Sequence, residues 1–151
     1  MERRYTALVE GEVADERGEV DAPIGRSTRT PTKMAVSASG RSARTGFTVL
    51  QRLHLPRPTT LVELRLQSGR THQIRVHMAA IGHPVVGDAR YGTPERSLGS
   101  GRFFLHAFRL EFTHPVSGER MEFSAPLPDD LSAFLGRLMD TEDVGVEGEG
   151  G

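Results

Sequence analysis

The densest chemistry in this 151-residue chain lies in Ser68–His83, SGRTHQIRVHMAAIGH. Arg70, His72 and Arg75 gather there at the start of a helix that follows directly on a strand and the Gly69 turn. The free N–H groups of a first turn and the positive end of the helix dipole suit an anion. Arg75 stands one turn after His72 on the same face. A planar guanidinium so placed can grip a phosphate, or orient a carboxylate, through two parallel hydrogen bonds. An amphipathic helix with a solvated polar face shows the same pattern, so spacing alone leaves both readings open. A metal centre fits poorly. His72, His77 and His83 lack the i, i+4 spacing of a helical zinc pair, and no nearby acid completes a ligand set. The chain has no Cys nucleophile, no G-x-S-x-G elbow, no G-x-G-x-x-G and no P-loop, and Asp129-Asp130 read as the N-terminal charges of a last helix.

The elements that must position these residues follow from periodicity and turn chemistry. Arg3–Gly11 is a β-type run, Thr45–Leu53 is rich in β-branched and apolar residues, and Thr60–Gln67 alternates with a period of two. Gly18–Arg29 reads as a loop with short extended pieces. Thr71–Ile81 is the expected helix, with Thr71 as N-cap, Ile74, Met78 and Ile81 as its apolar stripe and Gly82 at C′. Gly87–Leu98 is a loop. Phe103–Thr113 and Arg120–Ser124 form a hairpin around His114–Gly118, and Pro128–Met139 is a helix striped by Leu131, Phe134, Leu135 and Leu138. The expected class is α+β, a mainly antiparallel mixed sheet with flanking helices. Residues 1–139 form the domain, and 140–151, acidic and nearly devoid of apolar residues, form a disordered tail.

Composition narrows the partners. With no cysteine there is no disulfide or thiolate site, which makes the cytoplasm the default compartment. No apolar run approaches the roughly 18 residues of a membrane span. The net charge of −1 hides an asymmetry. Residues 129–151 hold seven carboxylates against Arg137 alone, whereas from Ala22 to Gly87 ten cations face only Glu63. A preference for Arg over Lys could reflect genome composition, but the missing acids point to a polyanionic partner.

At Gly69–Gly92, GRTHQIRVHMAAIGHPVVGDARYG, the chain closely resembles the C-terminal signature of RluA/RluD-type RNA pseudouridine synthases. The likeness continues in collinear order over about residues 3–128. RRYTALVEG (Arg3–Gly11) is similar to the family's tyrosine motif. VDAPIGR (Val20–Arg26), TKMAV (Thr32–Val36) and SGRSART (Ser39–Thr45) resemble its middle section, and FFLHAFRLEFTHP (Phe103–Pro115) its closing strand. The resemblance implies isomerisation of uridine to pseudouridine in ribosomal or transfer RNA, without cofactor or metal. It makes Tyr5 the motif tyrosine, receiving the C5 proton or positioning the ring, and Arg75 the arginine that pairs with the family's nucleophilic Asp. Lys33, Arg41, Arg44, Arg70 and His72 become candidate RNA contacts, while His77 and His106 read as satisfied structural histidines.

The family's nucleophile stands in an H-R-L-D-x-x-T-S-G motif upstream of the tyrosine motif, and no Asp of this chain has that context. Asp21 and Asp88 read as loop and structural residues. The expectation is therefore the C-terminal part of a catalytic domain, whose activity needs a carboxylate supplied elsewhere, such as by a separate chain carrying the missing half. A catalytically inactive RNA-binding module is the alternative. A truncated relic is another, and Arg3–Val9 would then be an unpaired edge strand.

Overall fold

The computed structural model describes residues 2–30, 33–66, 69–70, 72–92, 102–113 and 116–150. Eight strands and two helices follow in the order β1 (Glu2–Glu10), β2 (Arg17–Asp21), β3 (Ile24–Arg26), β4 (Met34–Val36), β5 (Arg44–Leu53), β6 (Thr59–Leu66), α1 (Gln73–Ala80), β7 (Leu105–Thr113), β8 (Arg120–Ser124) and α2 (Asp129–Gly150). Six strands make one sheet in the order β2-β5-β6-β1-β7-β8, and β3 and β4 pair as a separate ribbon. Every pair between named strands is antiparallel, so the α+β class holds.

Strand β1 lies at the centre of the sheet, against β6 on one side and β7 on the other. It is not the unpaired edge that a relic would show, because β6 and β7 supply both neighbours from within this chain. Alternation along β1 and β6 splits their apolar residues between two cores. Ala7, Val9, Val62 and Leu64 face α1, where Ile74 and the fully buried Met78 close the first core. Leu8 and Leu61 face the other way, onto Leu131, Phe134 and Leu138 of α2. A side chain as fully buried as Met78 contributes about 1.5–3 kcal/mol through burial.

Helix α1 departs from its expected bounds. It starts at Gln73, and its N-cap is His72 in a left-handed conformation (φ 56°), while Thr71, the expected cap, lies outside the described residues. Ile81, the last residue of the expected stripe, is 40% exposed, and Val76 and His77 are buried instead. The reason is that the β3–β4 ribbon covers a second side of α1, with Val76 packing against Ile24 and Ala43. At the far end His83 N–H donates to the Met78 carbonyl and Gly82 N–H to that of Ala79, with Gly82 at φ 86°. Those two bonds make the glycine-terminated C-cap that the sequence implies.

Helix α2 runs on past Met139 to Gly150. Apolar content does not reveal the contact that holds it. The Glu142 carboxylate accepts the backbone N–H groups of His54 (2.9 Å) and Leu55 (3.0 Å) and meets His54 Nδ1 at 2.6 Å. The helix is thereby tied to the β5–β6 connection.

Candidate active site

A cavity of about 460 Å³ opens where β1 begins and β6 ends, beside the start of α1. Arg3, Tyr5, Leu66, Gly69, Arg70, His72, Gln73, Ile74, Arg75, Phe103 and Leu105 line it. Tyr5 reaches it through strand register: alternation puts Arg3 and Tyr5 on the α1 face, with Tyr5 opposite Leu64 of β6. On the β7 side the pairing slips from Arg4–Arg109 to Tyr5–Ala107, leaving Phe108 as an extra residue. Such a bulge re-aims the side chains beside it. Gly69 admits Arg3, since a Cβ at that position would collide with the Arg3 guanidinium.

Arg75 is the most tightly held group of the site. Its Nε donates to Asp88 Oδ2 and its Nη2 to Asp88 Oδ1, both at 2.8 Å. The guanidinium lies 4.3 Å from the Phe103 ring centre and 5.0 Å from that of Tyr91. Asp88, 1% exposed, also accepts the backbone N–H groups of Arg90 and Tyr91, both at 3.1 Å. Burial works against its charge, but the Arg75 hydrogen bonds and the Tyr91 and Arg90 amides outweigh it and hold the carboxyl below its usual range. Arg75 is raised in turn, chiefly by its hydrogen bond to Asp88. Asp88 takes two of five guanidinium N–H donors, so an edge of Arg75 is left for the cavity it lines.

The helix start is fixed by Gln73, which is 2% exposed. Its Oε1 accepts Arg70 N–H (3.0 Å), and its Nε2 donates to the Arg44 carbonyl (2.8 Å). Arg70 Nε then reaches the Ser42 carbonyl at 3.1 Å. His72 Nδ1 is 2.8 Å from the Tyr91 hydroxyl, which accepts the Met34 N–H at 3.1 Å. Burial, then the nearby Arg75 and Arg90, push the His72 imidazole below its usual pKa.

Four of the seven sequence candidates thus meet in one place: Tyr5, Arg70, His72 and Arg75. Lys33, Arg41 and Arg44 do not line the cavity. Lys33 sits in the turn before β4, Arg41 bridges Ile24, and the exposed Arg44 lies 3.4 Å from Asp21. His77 and His106 are satisfied by backbone carbonyls, at Ala22 (2.8 Å) and Ala125 (3.1 Å). Sequence reasoning missed Arg3, Gln73, Tyr91 and Phe103. Gln73 and Tyr91 lie inside the motif block, but nothing in their spacing shows what they touch. Among the described residues no group of three or more His, Asp or Glu is placed to hold a metal ion, and no helix is long and apolar enough to cross a membrane.

Residues 1–80 match the protein family described as RNA pseudouridylate synthase. Over 136 residues the chain is 46% identical to an uncharacterized RNA pseudouridine synthase, YlyB, of Bacillus subtilis, covering 90% of this chain and 44% of that protein. It is 45% identical over 142 residues to ribosomal large subunit pseudouridine synthase D of Nitrosomonas europaea, covering 89% and 40%. The fold is similar to human RNA pseudouridylate synthase domain containing 1, with a TM-score of 0.75 and 33% identity over 88% of this chain and 58% of that one. The chain spans less than half the length of these two curated relatives.

Proposed function

The chain belongs to the RNA pseudouridylate synthase family, of RluA/RluD type, and from that premise we propose that its cavity receives a flipped uridine of ribosomal or transfer RNA. The observation that carries this reading is the convergence of Tyr5 and Arg75 on one cavity. Flipping costs a few kcal/mol, which stacking on aromatic and apolar side chains offsets. Tyr5, Phe103, Leu66, Ile74 and Leu105 supply such walls.

In the isomerisation the N1–C1′ bond breaks with its electron pair left on N1, the uracil turns, C5 bonds to C1′, the C5 proton leaves and N1 takes up a proton. Atoms and electrons balance without any oxidant or second substrate, so no cofactor is invoked. In this reading Tyr5 receives the C5 proton or holds the ring. The free edge of Arg75, in this reading, keeps an attacking carboxylate ionised and aimed, as a neighbouring opposite charge does. Asp88 is not that carboxylate, since its two oxygens are committed to Arg75 and to two backbone amides away from the cavity lining. The described lining residues include no carboxylate, so the nucleophile is supplied by a further segment or a separate chain. Arg70 and His72 meet the RNA inside the cavity, and Lys33, Arg41 and Arg44 extend the basic surface outside it. The cytoplasm is the compartment proposed for this reaction, on the lack of cysteine.

Combining the chain with a polypeptide that bears an H-R-L-D-type segment should restore tritium release from RNA labelled at uridine C5. Tyr5→Phe should lower that release by about 10²-fold or more, on the scale of general acid–base catalysis. No release from a folded assembly on a competent RNA would overturn the catalytic reading. The three arginines of the cavity favour one other reading, an RNA-binding module without chemistry. That module would bind RNA and still release nothing with the carboxylate segment present.

A further inference from the structure

His72 is the one non-glycine residue among those described with a positive φ. A left-handed backbone at a non-glycine residue is strained, and such strain gathers where a side chain must point in a set direction. The Tyr91 hydroxyl fixes more than direction. Its oxygen already accepts the Met34 N–H, so its own proton is free to be donated to His72 Nδ1 at 2.8 Å. An imidazole that accepts at Nδ1 carries its proton on Nε2. Tyr91 is itself held, by its backbone N–H to Asp88 and by the Arg75 guanidinium over its ring.

We propose that Tyr91 locks His72 as the neutral Nε2–H tautomer, and that Nε2–H donates to an oxygen of the RNA in the cavity beside Arg70 and Arg75. This rests on the reading of the cavity as an RNA site and names the contact within it. A donor-only nitrogen suits an acceptor-only oxygen, whether a uracil carbonyl or a phosphodiester oxygen. The charged and titratable groups around the ring are Arg75, Arg90, Asp88 and Tyr91, with Arg3 and Arg70 across the cavity. Their sum is cationic and disfavours a second proton on His72. His72 thereby selects for hydrogen-bond acceptors, while the arginines supply the charge.

The test uses this chain and a short uridine-containing RNA oligonucleotide. Nitrogen NMR of labelled histidine should show Nδ1 of His72 unprotonated and Nε2 protonated at neutral pH, with the Nε2 signal moving when RNA is added. His72→Ala should weaken binding about tenfold, the scale of one hydrogen bond to a polar or charged acceptor. His72→Gln, which keeps a donor, should recover part of that loss. Tyr91→Phe should let the proton populate Nδ1 and weaken binding several-fold. An oligonucleotide with an abasic site in place of the central uridine separates the sources. If the effect of His72→Ala disappears with it, the acceptor is the uracil carbonyl. If the effect persists, the acceptor is a phosphodiester oxygen. A protonated Nδ1 in the native chain, or unchanged binding by His72→Ala, would overturn the proposal and leave the RNA reading standing. Absence of RNA binding by the native chain would overturn both.

Discussion

Arg75 shows how a single side chain can be structural and functional through different edges. Asp88 takes Nε and Nη2, Phe103 and Tyr91 flank the plane, and the remaining donors are left for the cavity. Removing one partner of a buried ion pair costs about 3–5 kcal/mol, because the other charge is left uncompensated. Asp88→Asn should therefore lower the unfolding free energy by about that amount in urea titrations. The sign with pH follows from the depressed carboxyl. Its contribution is complete above the usual carboxylate range and is lost as pH falls through and below it, so the acid limb of stability should flatten in the Asn variant. Arg75→Lys should not restore the pair, since an ammonium cannot make the two-pronged contact or stack in the same plane. His72 offers a separate check. Both His72→Ala and His72→Gly lose the Tyr91 bond, but only glycine relaxes the left-handed backbone. The glycine variant should then be the more stable of the two by about 1 kcal/mol, against the usual helix ranking of alanine over glycine. Equal or reversed denaturation midpoints would show that the φ of 56° stores no strain.

Helix α1 is where sequence reading succeeded and failed within one element. Its C-terminus was legible, because Gly82 has a local conformational meaning. So were two of the three residues of its apolar stripe, Ile74 and Met78. The other buried side was not legible, because it joins Val76 to polar groups whose partners are remote in sequence. His77, with no exposed surface, donates from Nε2 to the Ala22 carbonyl and accepts at Nδ1 from Thr45, and Thr45 in turn accepts from Gln73. A period of 3.6 counts apolar residues and cannot register a polar side satisfied by distant backbone. Five of the six strands of the main sheet were legible from local residue pattern, while β2 lies in a stretch the sequence reads as a loop with short extended pieces; β1 became central through pairings that local pattern does not encode. The Arg75–Asp88 and His72–Tyr91 pairs were hidden for the same reason, though all four residues stand in one 24-residue block. The buried polar side has a measurable consequence. Burial pushes the His77 imidazole below its usual pKa, so the unfolded chain takes up a proton there before the folded chain does. Stability is complete above about pH 6.5 and falls as pH drops below it. Urea midpoints measured from pH 8 to pH 5 should decline, with His72 adding in the same direction. A flat profile would mean that His77 protonates in place at no cost.

Across the whole molecule the sheet separates two charge regimes. Tyr5, α1 and the arginine-lined cavity lie on one face, while α2, which carries seven acids from Asp129 to Glu149, packs through Leu131, Phe134 and Leu138 onto the other. Glu142 anchors that helix to the β5–β6 connection, which fixes its direction before residues 143–150 continue it. Layers on a sheet stand about 10 Å apart, and charges separated by more than about 8 Å of solvent are largely screened at physiological salt. An acidic segment laid over the basic cavity would compete with RNA phosphates directly; one behind the sheet can act only through this weakened field. Helix α2 packs onto the face away from the cavity through Leu131, Phe134 and Leu138, which favours the second arrangement. Deleting residues 143–151 should therefore change RNA affinity by less than about twofold at 0.15 M salt, with a modest gain at low ionic strength where the Debye length grows. The slope of log K against log[salt] should be nearly the same with and without the deletion, because it counts phosphates neutralised by cations on the opposite face. A large rise in affinity together with a steeper slope would show instead that the acidic segment reaches around to the cavity and must be displaced before RNA can enter.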